Sequence, residues 1–161
     1  MLLLFMGLLE PGDEVIMANP RYACYPNFVE GVGGRPRFIY TREDNGFALE
    51  PEPVVKAIGT NTKAIMINSP SNPAGHVMSA REYRSIAKAA GNVPIISDEI
   101  YQGLIYEGRD HSILEYTDNA FVLNGFSKLY AMTGWRLGYL IAPRDCIRPL
   151  QKLQQNFFYL C

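Results

Sequence analysis

Short apolar runs, each set off from the next by a longer segment of helical character, constrain this chain more than any other feature of its sequence. The runs are "EVIMA" (14–18), "PRFIY" (36–40), "KAIMIN" (63–68), "PIIS" (94–97), "FVLN" (121–124) and "LGYLIA" (137–142). Most are apolar without strict alternation, the pattern of a strand covered on both faces. Between them, "YACYPNFVEGVG", "EPVVKAIG", "SAREYRSIAKAAG" and "RDCIRPLQKLQQNFFYL" read as helices. Ser79 with Glu82 makes a capping-box signature at the start of the third of these, and Gly91 supplies its stop. Strands alternating with helices predict an α/β fold, a mostly parallel sheet with helices on both faces.

Composition narrows the function classes. Hydrophobic residues at 48% and charged residues at 19% suit a chain with a real core and argue against disorder. A net charge of −1 makes no electrostatic case for nucleic acid or an anionic membrane as partner. The apolar start, "MLLLFMGLLEPGDE", lacks a basic leading region and a cleavage site, and is too short to span a bilayer. It reads as a core helix. Cys24, Cys146 and Cys161 suggest neither a disulfide framework nor a zinc site, which points to a reducing, cytoplasmic setting. His76 and His111 lie too far apart in sequence to suggest a metal site. At 161 residues the length is that of about one domain. Yet the chain opens in an apolar helix-like run and closes inside another helix, and so reads as the middle of something larger.

Polar residues collect where strands end. "AIMIN" runs into "SPSNPAG" with Asn68 and Asn72, "PIIS" into "DEIY" with Asp98 and Tyr101, and "FVLN" into "GFSK" with Ser127 and Lys128. Open α/β sheets bind ligands outside the carboxyl ends of their strands, so parallel neighbours would bring these groups to one edge. Each residue also has a plainer reading. Asn72 could only set a turn, Asp98 could cap a helix, Lys128 could be a solvated side chain, and Arg136 could pair with an acid. Tyr22 and Tyr101 could be core aromatics. Lys128 and Arg136, up to about 28 Å apart if extended, can share a small ligand only if the chain folds back. Gly134 would permit that reversal. A lysine for covalent chemistry and an arginine for an anion point to a phosphorylated carbonyl compound. Pyridoxal 5'-phosphate is one, and it needs a carboxylate at its ring nitrogen, for which Asp98 is the candidate.

The motifs "NSPSNPAG", "SDEIYQGLIYEG" and "FSKLYAMTGWRLGY", in this order, resemble the class I/II aminotransferases, the aspartate-aminotransferase-like branch of fold-type I pyridoxal-phosphate enzymes. "PGDEVIMANPRYACYP" is similar to the same family's segment after its first phosphate loop. The resemblance implies that residues 1–161 form part of the cofactor-binding large domain, without the N-terminal arm, the first phosphate loop and the small domain. It implies that Lys128 forms the internal Schiff base and shuttles the substrate proton. Asp98 would hold the pyridine nitrogen, Tyr101 and Asn72 the ring's phenolic oxygen, and Arg136 and Ser127 the phosphate. Tyr22 would stack on the ring. The Asn72–Pro73 bond would be cis. Ala74 departs from the family's usual threonine. Gly125 stands where many relatives carry a phosphate-binding hydroxyl, which implies a weaker grip.

The function so implied is amino-group exchange between an amino acid and a 2-oxo acid, by a homodimer in the intact family member. Two alternatives stay open from these residues: a related pyridoxal-phosphate lyase, and an inactive fragment or interaction module. A dehydrogenase has little support, since "GVGGRP" (31–36) neither fits G-x-G-x-x-G nor follows a strand.

Overall fold

A computed structural model describes residues 1–157; Cys161 and the end of the helix expected over 144–160 lie outside the described residues. Six strands form one sheet in the order β2-β1-β3-β4-β5-β6. They are β1 (Glu14–Asn19), β2 (Arg35–Tyr40), β3 (Thr62–Asn68), β4 (Ile95–Asp98), β5 (Ala120–Gly125) and β6 (Gly138–Ile141). Every expected run falls on a strand, with ends moved by a residue or so. All neighbours pair in parallel except β6, which runs antiparallel to β5.

The helices are α1 (Leu2–Leu8), α2 (Cys24–Glu30), α3 (Pro51–Ala57), α4 (Ala80–Ala90) and α5 (Arg144–Phe157). The apolar start is the core helix α1, with Leu4 and Phe5 buried. At α4 the capping box is complete: Glu82 N–H donates to the Ser79 hydroxyl, and the Glu82 carboxylate accepts from Ser79 N–H.

Side chains alternate across a strand, so each central strand feeds two cores. Ile16, Ile65, Ile67, Ile95 and Val122 face α3 and α4, where Val54, Tyr83 and Ile86 meet them. Val15, Met17, Ala64, Met66, Ile96 and Phe121 face α1, α2 and α5, against Phe5, Val29 and Leu150. That is why these runs do not alternate in polarity. Each fully buried Ile or Phe contributes about 1.5–3 kcal/mol relative to exposure.

Parallel pairing puts the carboxyl ends of β1, β3, β4 and β5 on one edge. Asn68 is level with Asp98, and Asp98 with Leu123. The antiparallel β6 starts at that same edge, because Gly138 pairs with Gly125. This pair is glycine for want of room: a Cβ on Gly125 would sit 2.9 Å from the Leu137 carbonyl oxygen and 3.1 Å from Gly138 Cα.

Candidate cofactor-binding site

A cavity of about 380 Å³ opens at this edge, and Tyr22, Asn72, Asp98, Tyr101, Ser127, Lys128 and Arg136 all line it. They come from the ends of four different strands or the segments that follow them, and from the turn that precedes β6. Tyr22 follows β1, Asn72 follows β3, Asp98 ends β4 with Tyr101 just beyond it, and Ser127 and Lys128 follow β5. The order of the sheet reverses between β1 and β3, the kind of switch point where ligands bind in open sheets.

Asp98 is 8% exposed. Its Oδ2 accepts a 2.7 Å hydrogen bond from the Tyr25 hydroxyl, and its Oδ1 accepts from Ile100 N–H at 3.1 Å. Burial pushes its pKa up, against the opposing pull of the Tyr25 bond. Tyr25 is itself pushed far up, first by burial and then by the negative charge of Asp98. It therefore stays a protonated donor. A cation set against Asp98 from the cavity would reverse the effect of burial.

Asn68 ties two strand ends to the following turn. Its Nδ2 donates to the Asp98 carbonyl at 2.8 Å, and its Oδ1 accepts from Asn72 N–H at 2.8 Å. Asn72 in turn donates through Nδ2 to the Tyr101 hydroxyl at 3.3 Å. The Asn72–Pro73 bond is cis, as are Asn19–Pro20 and Ser69–Pro70. Lys128 Nζ stands 5.5 Å from the centre of the Tyr101 ring. Tyr22, 42% exposed, meets the Tyr25 ring edge-on.

Lys128 and Arg136 do come to one cavity, but Gly134 is not the residue that turns the chain. Gly134 sits in a 3₁₀ turn over Thr133–Trp135 without positive φ. The left-handed positions are Ala131 at φ 53° and Arg136 at φ 54°. Phe126 N–H donates to the Leu137 carbonyl and Met132 N–H to that of Phe126, which closes the loop. Arg136 bonds to the Thr133 carbonyl at 3.1 Å. Among the described residues, neither Lys128 nor Arg136 has a carboxylate within ion-pairing distance.

The residues suit a ligand that is anionic at one end and basic at a ring nitrogen, the pattern of pyridoxal phosphate. Among the described residues two cations lack acidic partners, and a buried carboxylate, within the field of the Met1 amino group, borders the cavity. No group of His, Cys, Asp or Glu able to hold a metal ion occurs among the described residues. Tyr25 escaped the reading of the sequence. Its one signal is its place a helical turn beyond Tyr22, on the face buried with α2.

Comparison with known proteins bears on this arrangement. The family model for aminotransferase class I and II matches residues 1–161. Over 156 residues the chain is 46% identical to the (5-formylfuran-3-yl)methyl phosphate transaminase of Methanocaldococcus jannaschii, covering 94% of this chain and 39% of that protein. It is 42% identical to the aspartate aminotransferase of Geobacillus stearothermophilus, with 95% of this chain and 41% of that one covered. The aspartate aminotransferase from Thermus thermophilus with maleate superposes at a TM-score of 0.91, with 37% identity, over 96% of this chain and 42% of its own. The chain thus spans about two fifths of the length of these relatives.

Proposed function

Because the chain belongs to the class I and II aminotransferase family, we propose that it is part of the large domain of a pyridoxal-phosphate-dependent aminotransferase, and the part that holds the cofactor. The observation that carries this reading is the meeting of a buried carboxylate, three phenols, two amides, an amine and a guanidinium at one cavity. The whole protein would exchange an amino group between an amino acid and a 2-oxo acid, as a cytoplasmic homodimer. No described helix is long and apolar enough to cross a membrane.

Each residue has a task set by its chemistry. When bound, pyridoxal phosphate supplies an aldehyde that condenses with amines and a ring that takes up negative charge from the carbon next to nitrogen. Lys128 offers the amine, and its Nζ can afterwards carry the proton taken from the substrate carbon. Asp98 would accept a hydrogen bond from the protonated ring nitrogen, its carboxylate aimed by Tyr25. The linked Asn72 and Tyr101 would donate to the ring's phenolic oxygen. Arg136, with its planar fork, and Ser127 would hold the phosphate. Tyr22 would cover the ring face.

The test is an absorbance spectrum of the purified chain with pyridoxal phosphate, beside Lys128→Ala. A band near the visible edge in the wild type and its loss in the variant is the expected result. Identical spectra would overturn the cofactor reading.

A further inference from the structure

Glu99 follows Asp98 directly, is 1% exposed, and does not line the candidate cavity. A buried carboxylate with no cation beside it is costly, and burial pushes the pKa of Glu99 up. Its partners offset that cost. Oε1 accepts from the Ser97 hydroxyl at 2.9 Å, the Ser112 hydroxyl at 3.1 Å and the Ile113 amide at 3.1 Å. One oxygen therefore joins the end of strand β4 to the start of the 3₁₀ turn Ile113–Glu115.

The two neighbouring acids point to opposite layers. Asp98 is held by Tyr25 of α2, while Glu99 reaches the side where Ile113 packs with α3 and α4. Between the two anchored ends runs the loop that carries Tyr101. The backbone of Glu99 adds to the anchor: its N–H donates to the Leu123 carbonyl at 2.8 Å, and its carbonyl accepts from Gln102 at 2.9 Å. Ile113 alone, fully buried, could close the loop by apolar packing. Apolar packing does not specify direction, whereas a satisfied polar network selects a single arrangement.

We infer that Glu99 is a positioning residue for the candidate site. By joining β4 to the 113–115 turn through Oε1, it fixes Asp98 and Tyr101 relative to each other. Its effect on cofactor capture rests on the reading given above; its effect on the loop does not.

The experiment compares Glu99→Ala, Glu99→Gln and Ser97→Ala with the wild-type chain, by amide hydrogen exchange and by spectral titration with pyridoxal phosphate. In Glu99→Ala, exchange quickens from Ile100 to Ile113 while α2 keeps its protection. Affinity for pyridoxal phosphate falls on the order of tenfold to a hundredfold, as small displacements of a site do. Glu99→Gln keeps an oxygen that accepts the same donors and stays within about threefold of wild type. Ser97→Ala, a small change that decides the matter if Glu99→Ala does not fold, moves both readouts partway in the same direction. Unchanged exchange in the folded variants would overturn the inference. So would faster exchange with unchanged affinity, or a Glu99→Gln variant as impaired as Glu99→Ala. A wild-type chain with no Lys128-dependent band sinks the cofactor reading alone, and the positioning role is then decided by exchange.

Discussion

Tyr25 and Asp98, 73 positions apart in the sequence, are joined by a 2.7 Å hydrogen bond from the phenol to Oδ2. The bond crosses from α2 to the end of β4 and holds the carboxylate that lines the cavity. Tyr25→Phe removes the donor and leaves the oxygen buried, at a cost of about 1–3 kcal/mol in chemical denaturation. The same change raises the pKa of Asp98 further, which carboxyl NMR titration reads directly. An unchanged titration would mean that the bond is absent in solution.

The pH dependence of Asp98 has a definite sign. A carboxyl whose pKa is raised in the folded state binds more protons folded than unfolded between the two values. Its contribution is therefore greatest below the unfolded value of 3.8 and is lost as pH rises through the folded one. Asp98→Asn flattens that part of the stability profile. Denaturation midpoints across the acid range check it, and parallel profiles for the two proteins would contradict it. Glu99 adds a slope of the same sign, which remains in the variant.

Glu82 shows the opposite sign. Burial would raise its pKa, but bonds from His76 and from the hydroxyl and amide of Ser79 outweigh that and hold it at about 2. The stability it confers is present above its ordinary value of 4.5 and fades as pH falls toward 2. Ser79→Ala breaks the cap and costs about 1 kcal/mol near neutral pH. Glu82→Gln loses most of the acid-side fade, seen by thermal melts between the two pH values.

Gly125→Ser tests whether the missing hydroxyl can be restored. The Cβ would stand 2.9 Å from the Leu137 carbonyl oxygen, just ahead of β6, and 3.1 Å from Gly138 Cα, so β5 and β6 must separate. The expected outcome is a loss of about 1–3 kcal/mol with no gain in affinity for pyridoxal phosphate. Tighter binding in the variant would show that the strands can yield.

Arg136→Ala weakens binding of pyridoxal phosphate on the order of tenfold to a hundredfold, the worth of charge-assisted hydrogen bonds. Binding of pyridoxal, which lacks the phosphate, changes little. Arg136→Lys recovers only part of the difference, since an ammonium cannot form the planar fork. Equal losses for the two ligands would remove Arg136 from the phosphate.

Much of the molecule was legible as sequence because its determinants are local. Runs such as "KAIMIN" carry the strand signal in their own composition, and Ser79 with Glu82 spells out a helix start within four residues. The motifs around Asn72, Asp98 and Lys128 are likewise contiguous stretches, so their chemistry could be named without coordinates. Their convergence followed from a single inference, that parallel strands place their carboxyl ends together.

What only the tertiary structure decided depends on contacts between distant segments. Neither Tyr25 nor Glu99 stood out in the sequence: the first gains its role when α2 brings its hydroxyl to Asp98, the second when Ser112 and Ile113 reach it. The reversal between Lys128 and Arg136 was assigned to Gly134 on its intrinsic freedom. The left-handed residues are instead Ala131 and Arg136, in a loop closed by hydrogen bonds from Phe126 and Met132. Intrinsic preference for a backbone conformation is worth about a kilocalorie per mole, and the closure of a packed loop can override it. The sequence by itself determined the elements and the kinds of group at their ends; the packing of layers decided which groups touch, because desolvation and hydrogen-bond geometry act only once distant residues have been brought together.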